Sequence, residues 1–360
     1  MTTSNPRKKR IVVVCPGRGS YTSESLGYFK RETSSVAREW ARNGGWAARF
    51  QEFLADLDER RVALGDPAIS ELDNKPKFSP SLHTRGEHAS PLIYACAYRD
   101  FLAINREQYE IVALCGNSMG WYLALAFGEA LDWTGAFHVI QTMGGMMREE
   151  IVGGQIIYPI VNEEWQVDPA REMIVHDVLE RARAANAGEA YISIRLGGYV
   201  VLAGEKRALD FLLKNLPETV SRSQGRETIY PFQLINHAAF HTQLMFDTSQ
   251  RAFEAISSQL FRPPKIPLVD GRGHIWMPYS TDAHALYEYT LGHQVYAMYD
   301  FTTSVAVALK EFMPDQLWLL GPGNSLGGVL GQILIQNKWW GVTNKEQFKS
   351  SGFVVSAPQS

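Results

Sequence analysis

The sequence predicts an α/β protein with a mainly parallel sheet and a smaller inserted domain. Three observations carry this prediction. Apolar, strand-like runs alternate with helix-like stretches from the start of the 360-residue chain. The run Ile11–Cys15 is apolar throughout, which is typical of a strand covered on both faces of a parallel sheet. Between residues 152 and 232 the pattern changes to closely spaced strands with two helices.

The larger domain is predicted to comprise residues 1–151 and 233–345. Its first part contains the strand Ile11–Cys15, a turn at 16–20, helices within 32–65 and at 91–103, a strand from 111 that enters a turn at 116–120, and helices from 121 to near 132 and from 134 to 150. Its second part contains a helix at 242–260, a strand at 266–269, a helix at 301–312 and a strand at 316–320. Residues 346–360 are predicted to be a C-terminal tail.

The inserted domain, residues 152–232, has its own order of elements. The predicted elements are a strand at 155–161, a helix at 168–185, strands at 190–195 and 199–203, a helix at 207–216 and a strand at 228–234. This β-α-β-β-α-β order is that of a ferredoxin-like module. We therefore expect a ferredoxin-like small domain inserted into the larger one.

Charge and cysteine content limit the function classes. A net charge of −3 gives no basic excess of the kind that nucleic-acid binding requires, and Arg7-Lys-Lys-Arg10 is interpreted as a solvated flank. Three cysteines without framework spacing indicate a reducing compartment. No apolar stretch reaches the ~18 residues of a membrane span, and Ile11–Cys15 is too short for a signal peptide. The sequence predicts a cytoplasmic protein without a membrane or nucleic-acid partner.

The segment Gly116-Asn-Ser-Met-Gly120 is a G-x-S-x-G sequence between a strand-like run and a helix-like stretch. This context is the one that a nucleophile elbow requires, because the serine must stand at the tip of a tight turn. Glycines on either side avoid clashes between the turn and its neighbours. The helix that follows directs its N-terminal N–H groups toward negative charge that develops at the serine. Ser118 is therefore the candidate nucleophile.

A serine hydroxyl needs a base to accept its proton, and His241 is the candidate. It lies in His237-Ala-Ala-Phe-His241, directly after the last strand of the small domain. His237, four residues earlier, could face the same way. Two histidines at this spacing can bind zinc, but the chain lacks the intervening glutamate and a third ligand, so no metal site is predicted.

Two glycine-containing loops follow predicted strands, at residues 17–20 and 321–328. Neither has the spacing of a dinucleotide fingerprint, and neither contains the Gly-Lys-Ser/Thr of a phosphate loop. No nucleotide cofactor is predicted from them.

Taken together, these segments resemble the malonyl-CoA:acyl carrier protein transacylase family, over about residues 11–335. Pro16-Gly-Arg-Gly-Ser20 resembles its P-G-Q-G-S loop, and Gly116-Asn-Ser-Met-Gly120 its G-H-S-x-G elbow. Ala239-Phe-His241 is similar to its A-F-H or A-S-H motif, Gly198–Gly204 to a glycine-bounded stretch of its small domain, and Leu320–Gly323 to its V-G-P-G loop. The resemblance implies an α/β-hydrolase-like large domain with a ferredoxin-like insertion.

The resemblance also implies roles for the matching residues. Ser118 would form an acyl ester, and His241 would act first as the base and then as the acid for the leaving thiol. In the family a backbone carbonyl, here that of Gln294, replaces the aspartate of a triad. The backbone N–H groups of Arg18 and Met119 would form the oxyanion hole.

The implied reaction is ping-pong acyl transfer between phosphopantetheine thioesters of CoA or an acyl carrier protein. No bound cofactor is expected. The implied partners are an acyl carrier protein and an acyl-CoA or acyl-carrier-protein donor. The residues expected to contact substrate are Gly17, Asn117, Trp121, Met143 and Phe240.

Position 143 departs from the family pattern. Malonyl-type enzymes of the family carry an arginine here, before a glycine, and it pairs with the free carboxylate of the acyl unit. This chain has Met143 followed by Gly144, and Arg148 faces another way on a helix. A methionine favours an uncharged, apolar or bulky acyl group. The hypothesis is a non-malonyl acyl unit, although Arg18 could provide a substitute cation.

Several alternatives stay open at this point. The chain could be an acyl hydrolase that clears carrier proteins, since only water access to the acyl-enzyme would differ. It could be a malonyl transacylase despite Met143. A non-catalytic relative that binds a carrier protein, and a general serine esterase with an acidic third residue, are the remaining alternatives.

Overall fold

The computed structural model describes residues 7–31, 45–223 and 226–356. Its strands, in chain order, are β1 Lys9–Cys15, β2 Tyr109–Gly116, β3 Gly154–Pro159, β4 Ala190–Leu196, β5 Tyr199–Gly204, β6 Thr219–Ser223, β7 Arg226–Tyr230, β8 Phe232–Gln233, β9 Leu268–Val269, β10 Ile275–Trp276, β11 Tyr299–Asp300, β12 Gln316–Leu319 and β13 Val354–Ser356.

The α-helices separate these strands along the chain. They are α1 Trp46–Ala63, α2 Ile69–Asp73, α3 Pro80–His83, α4 Gly86–Leu102, α5 Gly120–Phe127, α6 Trp133–Gly145, α7 Pro169–Ala184, α8 Lys206–Asn215, α9 Phe246–Ala255, α10 Ala283–Leu291, α11 His293–Tyr296, α12 Phe301–Phe312, α13 Gly327–Gln336 and α14 Lys345–Ser351. Short 3-10 helices lie at Ser23–Ser25, Tyr28–Lys30, Gln243–Met245, Ser258–Leu260 and Trp339–Gly341.

The main sheet has the strand order β10-β9-β2-β1-β12-β13. β1 pairs in parallel with both β2 and β12, and the residues Ile11–Cys15 are fully buried. The prediction of a mainly parallel sheet is confirmed; β10 is its antiparallel edge. Because parallel strands end at the same edge, the loops after β1, β2 and β12 come together there.

The second sheet has the order β11-β4-β5-β3-β8. β5 pairs in antiparallel fashion with β3 and β4, and β8 with β3, so the predicted ferredoxin-like β-α-β-β-α-β order is confirmed. One strand, β11, comes from outside residues 152–232 and pairs in parallel with β4. The division at residues 152 and 232 stays a prediction.

The predicted strand at 228–234 is wrong in detail. It divides at Pro231 into β7, which forms a hairpin with β6, and β8, which pairs with β3. Proline has no N–H to donate, so it interrupts the ladder at this point. The partner strand β6 was not predicted.

The helices also differ at their ends. The predicted helix 242–260 consists of α9 between two 3-10 helices, and the predicted helix 134–150 ends at Gly145. The helix predicted at 91–103 begins at Gly86, so Pro91 lies inside α4. Proline leaves the carbonyl four residues earlier without its helical donor. That carbonyl, of Glu87, instead accepts a hydrogen bond from Nη1 of Arg61 at 2.6 Å.

Residues 346–360 are not a tail over the part that the structure describes. α14 begins at Lys345, and β13 pairs in parallel with β12 as a strand of the main sheet. The large domain therefore extends to Ser356, and the prediction for 357–360 lies outside the described residues. The same applies to the helical pattern at 32–44. No helix in the described ranges is long and apolar enough to cross a bilayer.

Candidate active site

Ser118 lies between the end of β2 and the start of α5, as the G-x-S-x-G sequence predicts. Its φ is 55°, a left-handed backbone conformation that is rare for a residue with a side chain. A Cβ at Gly116 would overlap the backbone of Gly120, and a Cβ at Gly120 would overlap the carbonyl of Cys15. The two glycines therefore allow the elbow to pass close to the end of β1 and to present the serine at its tip.

The Ser118 hydroxyl is within hydrogen-bond distance of the His241 side chain. Oγ of Ser118 lies 2.7 Å from Nε2 of His241, and Nδ1 of His241 lies 2.6 Å from the backbone carbonyl oxygen of Gln294. A carbonyl can only accept, so Nδ1 carries the proton and Nε2 is free to accept one. The backbone N–H of His241 donates to the carbonyl of Val295 at 2.7 Å, which also ties the His241 backbone to the segment that carries Gln294. This arrangement suits a nucleophile and its base.

Gln294 holds the two residues together with its side chain as well. Its Nε2 donates to the backbone carbonyl of Ser118 at 3.1 Å, and its Oε1 accepts from the hydroxyl of Tyr122 at 3.0 Å. Tyr122 is a site residue that sequence reasoning missed. The available signal was its position in the first turn of the helix that directly follows the elbow.

Burial sets the protonation state of the base. It lowers the pKa of His241 to about 4, an effect that the nearby His293 reinforces and the hydrogen bond to the Gln294 carbonyl opposes. The imidazole is therefore neutral at physiological pH, which is the form that can accept the serine proton.

A cavity of about 330 Å³ opens beside Ser118, between the large domain and the second sheet. Its walls are mainly apolar. The large domain contributes Ile140, Met143 and Met147, and the second sheet contributes Ile157, Ile194 and Val201. A cleft of this size with few polar groups suits a small organic substituent.

The structure brings most of the predicted site residues to this cavity. Besides Ser118, His241 and Gln294, the lining includes Gly17, Arg18, Asn117, Met119, Met143 and Phe240. That these residues contact a substrate stays a prediction. His237 also lines the cavity, and its Nδ1 lies 3.0 Å from Oε1 of Gln155.

Trp121 is the exception, and its predicted contact with substrate is wrong. The side chain is fully buried away from the cavity, where its Nε1 donates to Oγ1 of Thr290 at 3.0 Å and its ring meets the ring of Tyr289 edge to face. Consecutive helical residues point about 100° apart, so Trp121 and Tyr122 of α5 point in different directions, and of the two it is Tyr122 that lines the cavity.

Comparison with known proteins bears on this geometry. No protein-family model matches the chain. The polyketide biosynthesis malonyl CoA-acyl carrier protein transacylase PksC of Bacillus subtilis (strain 168) is 26% identical over 331 residues, which cover 90% of this chain and 96% of that protein. The resemblance to the malonyl-CoA:acyl carrier protein transacylase family is confirmed.

Solved transacylase structures share the fold. The malonyl-CoA:acyl carrier protein transacylase of Xanthomonas oryzae pv. oryzae matches with a TM-score of 0.70 at 19% identity, over 97% of this chain and 95% of that one. The acyl carrier protein S-malonyltransferase of Vibrio cholerae matches with a TM-score of 0.68 at 18% identity, over 98% of both chains. The large α/β domain with a ferredoxin-like small domain is confirmed.

Met143, which stands where the resemblance leads us to expect an arginine, lies in the wall of the cavity. The Met143 side chain is 3% exposed and lines the cavity with Ile140. Arg148, which follows on the chain, points to Asp66, with 2.8 Å between Nη2 and Oδ1. Neither residue places a cation in the cavity.

Proposed function

We propose that this chain transfers an acyl group from one pantetheine thiol to another through an ester on Ser118. The observation that carries the proposal is the pair of hydrogen bonds that join Ser118 Oγ to His241 Nε2 and His241 Nδ1 to the Gln294 carbonyl, in the wall of an apolar cavity. The similarity to a malonyl CoA-acyl carrier protein transacylase supports the same chemistry.

In the first half-reaction, Oγ of Ser118 attacks the thioester carbonyl carbon while its proton passes to Nε2 of His241. The imidazolium is held by the bond from Nδ1–H to the carbonyl of Gln294. The tetrahedral intermediate then loses the thiol: the C–S bond breaks, and the sulfur takes the proton from Nε2. The acyl group remains as an ester on Ser118.

The developing oxyanion needs donors, and we assign them to the backbone N–H groups of Arg18 and Met119. Both residues line the cavity, and in the described ranges neither N–H donates to a backbone or side-chain acceptor. Met119 also immediately precedes α5, so the helix dipole adds to the field at this point.

In the second half-reaction, a thiol attacks the ester carbonyl carbon while its proton passes to Nε2 of His241. The bond between that carbon and Oγ of Ser118 then breaks, and Oγ takes the proton back from Nε2, so the acyl group leaves as a thioester and the serine is regenerated. We propose that this thiol is the phosphopantetheine of an acyl carrier protein in the cytoplasm. One similar structure is a complex of a type II PKS acyl-carrier protein with its malonyl-transacylase, with a TM-score of 0.65 at 20% identity over 90% of this chain and 93% of that one. That the donor is an acyl-CoA or a second carrier protein is part of the same proposal.

We propose further that the acyl unit is not malonate. Met143 and Ile140 form an apolar wall at the position where a malonyl-type arginine would stand. The carboxylate of a malonyl group against Met143 and Ile140 would lose its hydration without gaining a partner from α6.

The test is intact-protein mass spectrometry after incubation with a panel of acyl-CoAs, followed by addition of a phosphopantetheinylated carrier protein. We expect an acyl adduct on Ser118 that is lost in Ser118→Ala and kept in Ser90→Ala, since Ser90 also lines the cavity but has no histidine as hydrogen-bond partner in the described part of the chain. The adduct should then pass to the carrier protein. Release of free acid in its place would identify a hydrolase, and preferential labelling by malonyl-CoA would contradict the non-malonyl acyl unit.

A further inference from the structure

The Arg18 guanidinium lies in the cavity wall without an anionic partner. Its Nη1 donates to Sδ of Met147 at 2.8 Å, a weak interaction for a cation. Its Nη2 is buried and has no hydrogen-bond partner within the described part of the chain. This polar group therefore has unused donor capacity at a place where water is largely excluded.

Glu87, the carboxylate whose charge raises the pKa of Arg18, forms ion pairs with other residues. Its Oε1 lies 2.6 Å from Nη2 of Arg85 and 3.9 Å from Nε of Arg148. Among residues 7–31, 45–223 and 226–356, no ion pair of 4.0 Å or less involves Arg18. Burial lowers the pKa of Arg18 to about 10, against the raising effect of Glu87, so the side chain is still a cation at neutral pH.

The guanidinium sits beside the helix that carries Met143. An added Cβ at Gly86 would overlap the Gly144 carbonyl and would lie 3.2 Å from Nη1 of Arg18. Met147, which that same nitrogen contacts, lies four residues after Met143 and two residues after the end of α6. The helix α6 has no cation at position 143. Arg18, in the loop after β1, places one at the neighbouring part of the cavity wall.

We propose that the acyl unit carries a carboxylate and that the Arg18 guanidinium binds it. The proposal rests on the acyl transfer proposed above, and it narrows the non-malonyl acyl unit to carboxylated acyl groups. Nη1 and Nη2 lie in one plane and match the two oxygens of a carboxylate, which would replace the Met147 Sδ contact at Nη1 and reach the buried Nη2 once the side chains around it shift. The ion pair would remove the cost of a buried cation without a counter-charge.

His237 does not compete for this role. Burial and the positive charge of Arg18 both lower its pKa, and its Nδ1 lies 3.0 Å from Oε1 of Gln155. The ring is therefore neutral at physiological pH and adds no second cation to the cavity. The specificity for a negative charge depends on Arg18 alone among the described residues that line the cavity.

The experiment measures single-turnover acylation of Ser118 by malonyl-, succinyl- and glutaryl-CoA, each against a neutral acyl-CoA of similar length. All carry the same CoA phosphates, so a preference reports on the acyl terminus. We expect the wild type to favour the charged member by about 10- to 100-fold. Arg18→Gln should remove the preference, and Arg18→Lys should restore part of it. Arg195 forms a surface ion pair with Glu172, so Arg195→Gln removes a cation elsewhere and is the matched control. It should leave the ratio of charged to neutral acyl-CoA unchanged.

The outcomes separate the two proposals. A charged-to-neutral ratio that is unchanged in Arg18→Gln, or a wild-type preference for neutral acyl groups, overturns the role of Arg18 and leaves the transfer reaction intact. A preference for malonyl over the longer dicarboxylates that depends on Arg18 supports this role and overturns the non-malonyl acyl unit. The absence of any Ser118 adduct overturns both. If Arg18→Gln does not fold, as judged by circular dichroism, the ratio in Arg18→Lys decides.

Discussion

The two sides of the cavity are built in different ways. On the catalytic side, Ser118 and His241 are held by backbone groups: the glycine-lined elbow, the carbonyl of Gln294 and the carbonyl of Val295. On the acyl side, the surface consists of side chains such as those of Met143 and Met147. The chemistry therefore depends on the path of the backbone, and the choice of acyl unit depends on residue identity.

This difference has a measurable consequence. A substitution on the catalytic side should change the rate for every acyl unit by the same factor, because each passes through the same oxyanion and the same proton transfer. A substitution on the acyl side should change the order of preference among acyl units. Substitutions on the two sides can therefore be told apart by comparing several acyl-CoAs.

The largest effect is expected for His241→Ala. Without the imidazole, the serine proton has no acceptor, and acylation should fall by about 10³- to 10⁴-fold. The fall should be equal for charged and neutral acyl-CoAs, as measured by single-turnover mass spectrometry. His237→Ala is the control: it removes a histidine from the same cavity and should cost no more than a few-fold. A loss in His241→Ala smaller than tenfold would show that another group acts as the base.

The catalytic side is also the part that the sequence predicts best. Only glycine fits at Gly116 and Gly120, so the spacing around Ser118 is set by sterics that a motif records directly. The helix Phe301–Phe312 is likewise predicted with both ends, and the Asp300 side chain caps it by accepting from the N–H of Thr303. Where local geometry decides the structure, a short segment contains enough information to predict it.

The predictions from the sequence are wrong where contacts with distant segments decide the local structure. β13 is three residues long and gains its hydrogen bonds from β12, so no local pattern marks Val354–Ser356 as a strand. Trp121 is expected to contact substrate from the resemblance, yet its side chain is buried in the core, where it donates a hydrogen bond to Thr290. The Arg18 guanidinium lies in space beside Gly86, a residue of α4 that only the folded chain brings next to the loop after β1.

An intermediate effect is expected for Met143→Ala on the acyl side. Removal of the side chain enlarges the cavity, so longer acyl-CoAs should gain about tenfold relative to short ones. The stability should fall by about 2–3 kcal/mol, because a buried methionine leaves a void. Competition among acyl-CoAs of increasing length measures the first effect and urea unfolding the second. Met173→Ala is the control, since Met173 is 67% exposed on α7. An unchanged order of preference would mean that Met143 does not limit the acyl unit.

The smallest effect is expected for pH, since the acylation rate should change little as the pH is lowered. An ordinary histidine has a pKa near 6.5 and would lose its base form over the range from pH 7.5 to 5.5. The pKa of His241 is lowered to about 4, so its neutral form persists down to that region, and the acylation rate should be nearly constant from pH 7.5 to 5.5. Half-maximal acylation near pH 6.5 would contradict this assignment.

The same lowered pKa makes a control necessary. The unfolded chain binds protons to this histidine below pH 6.5, whereas the folded chain does so only near pH 4, so stability falls as the pH falls through this interval. His237, whose pKa is also lowered, adds to the same trend. Circular dichroism at each pH must therefore show that the protein stays folded. Two buried, neutral histidines predict two results together. The acylation rate stays constant over this interval while the protein remains folded, and the midpoint of urea unfolding declines over the same interval.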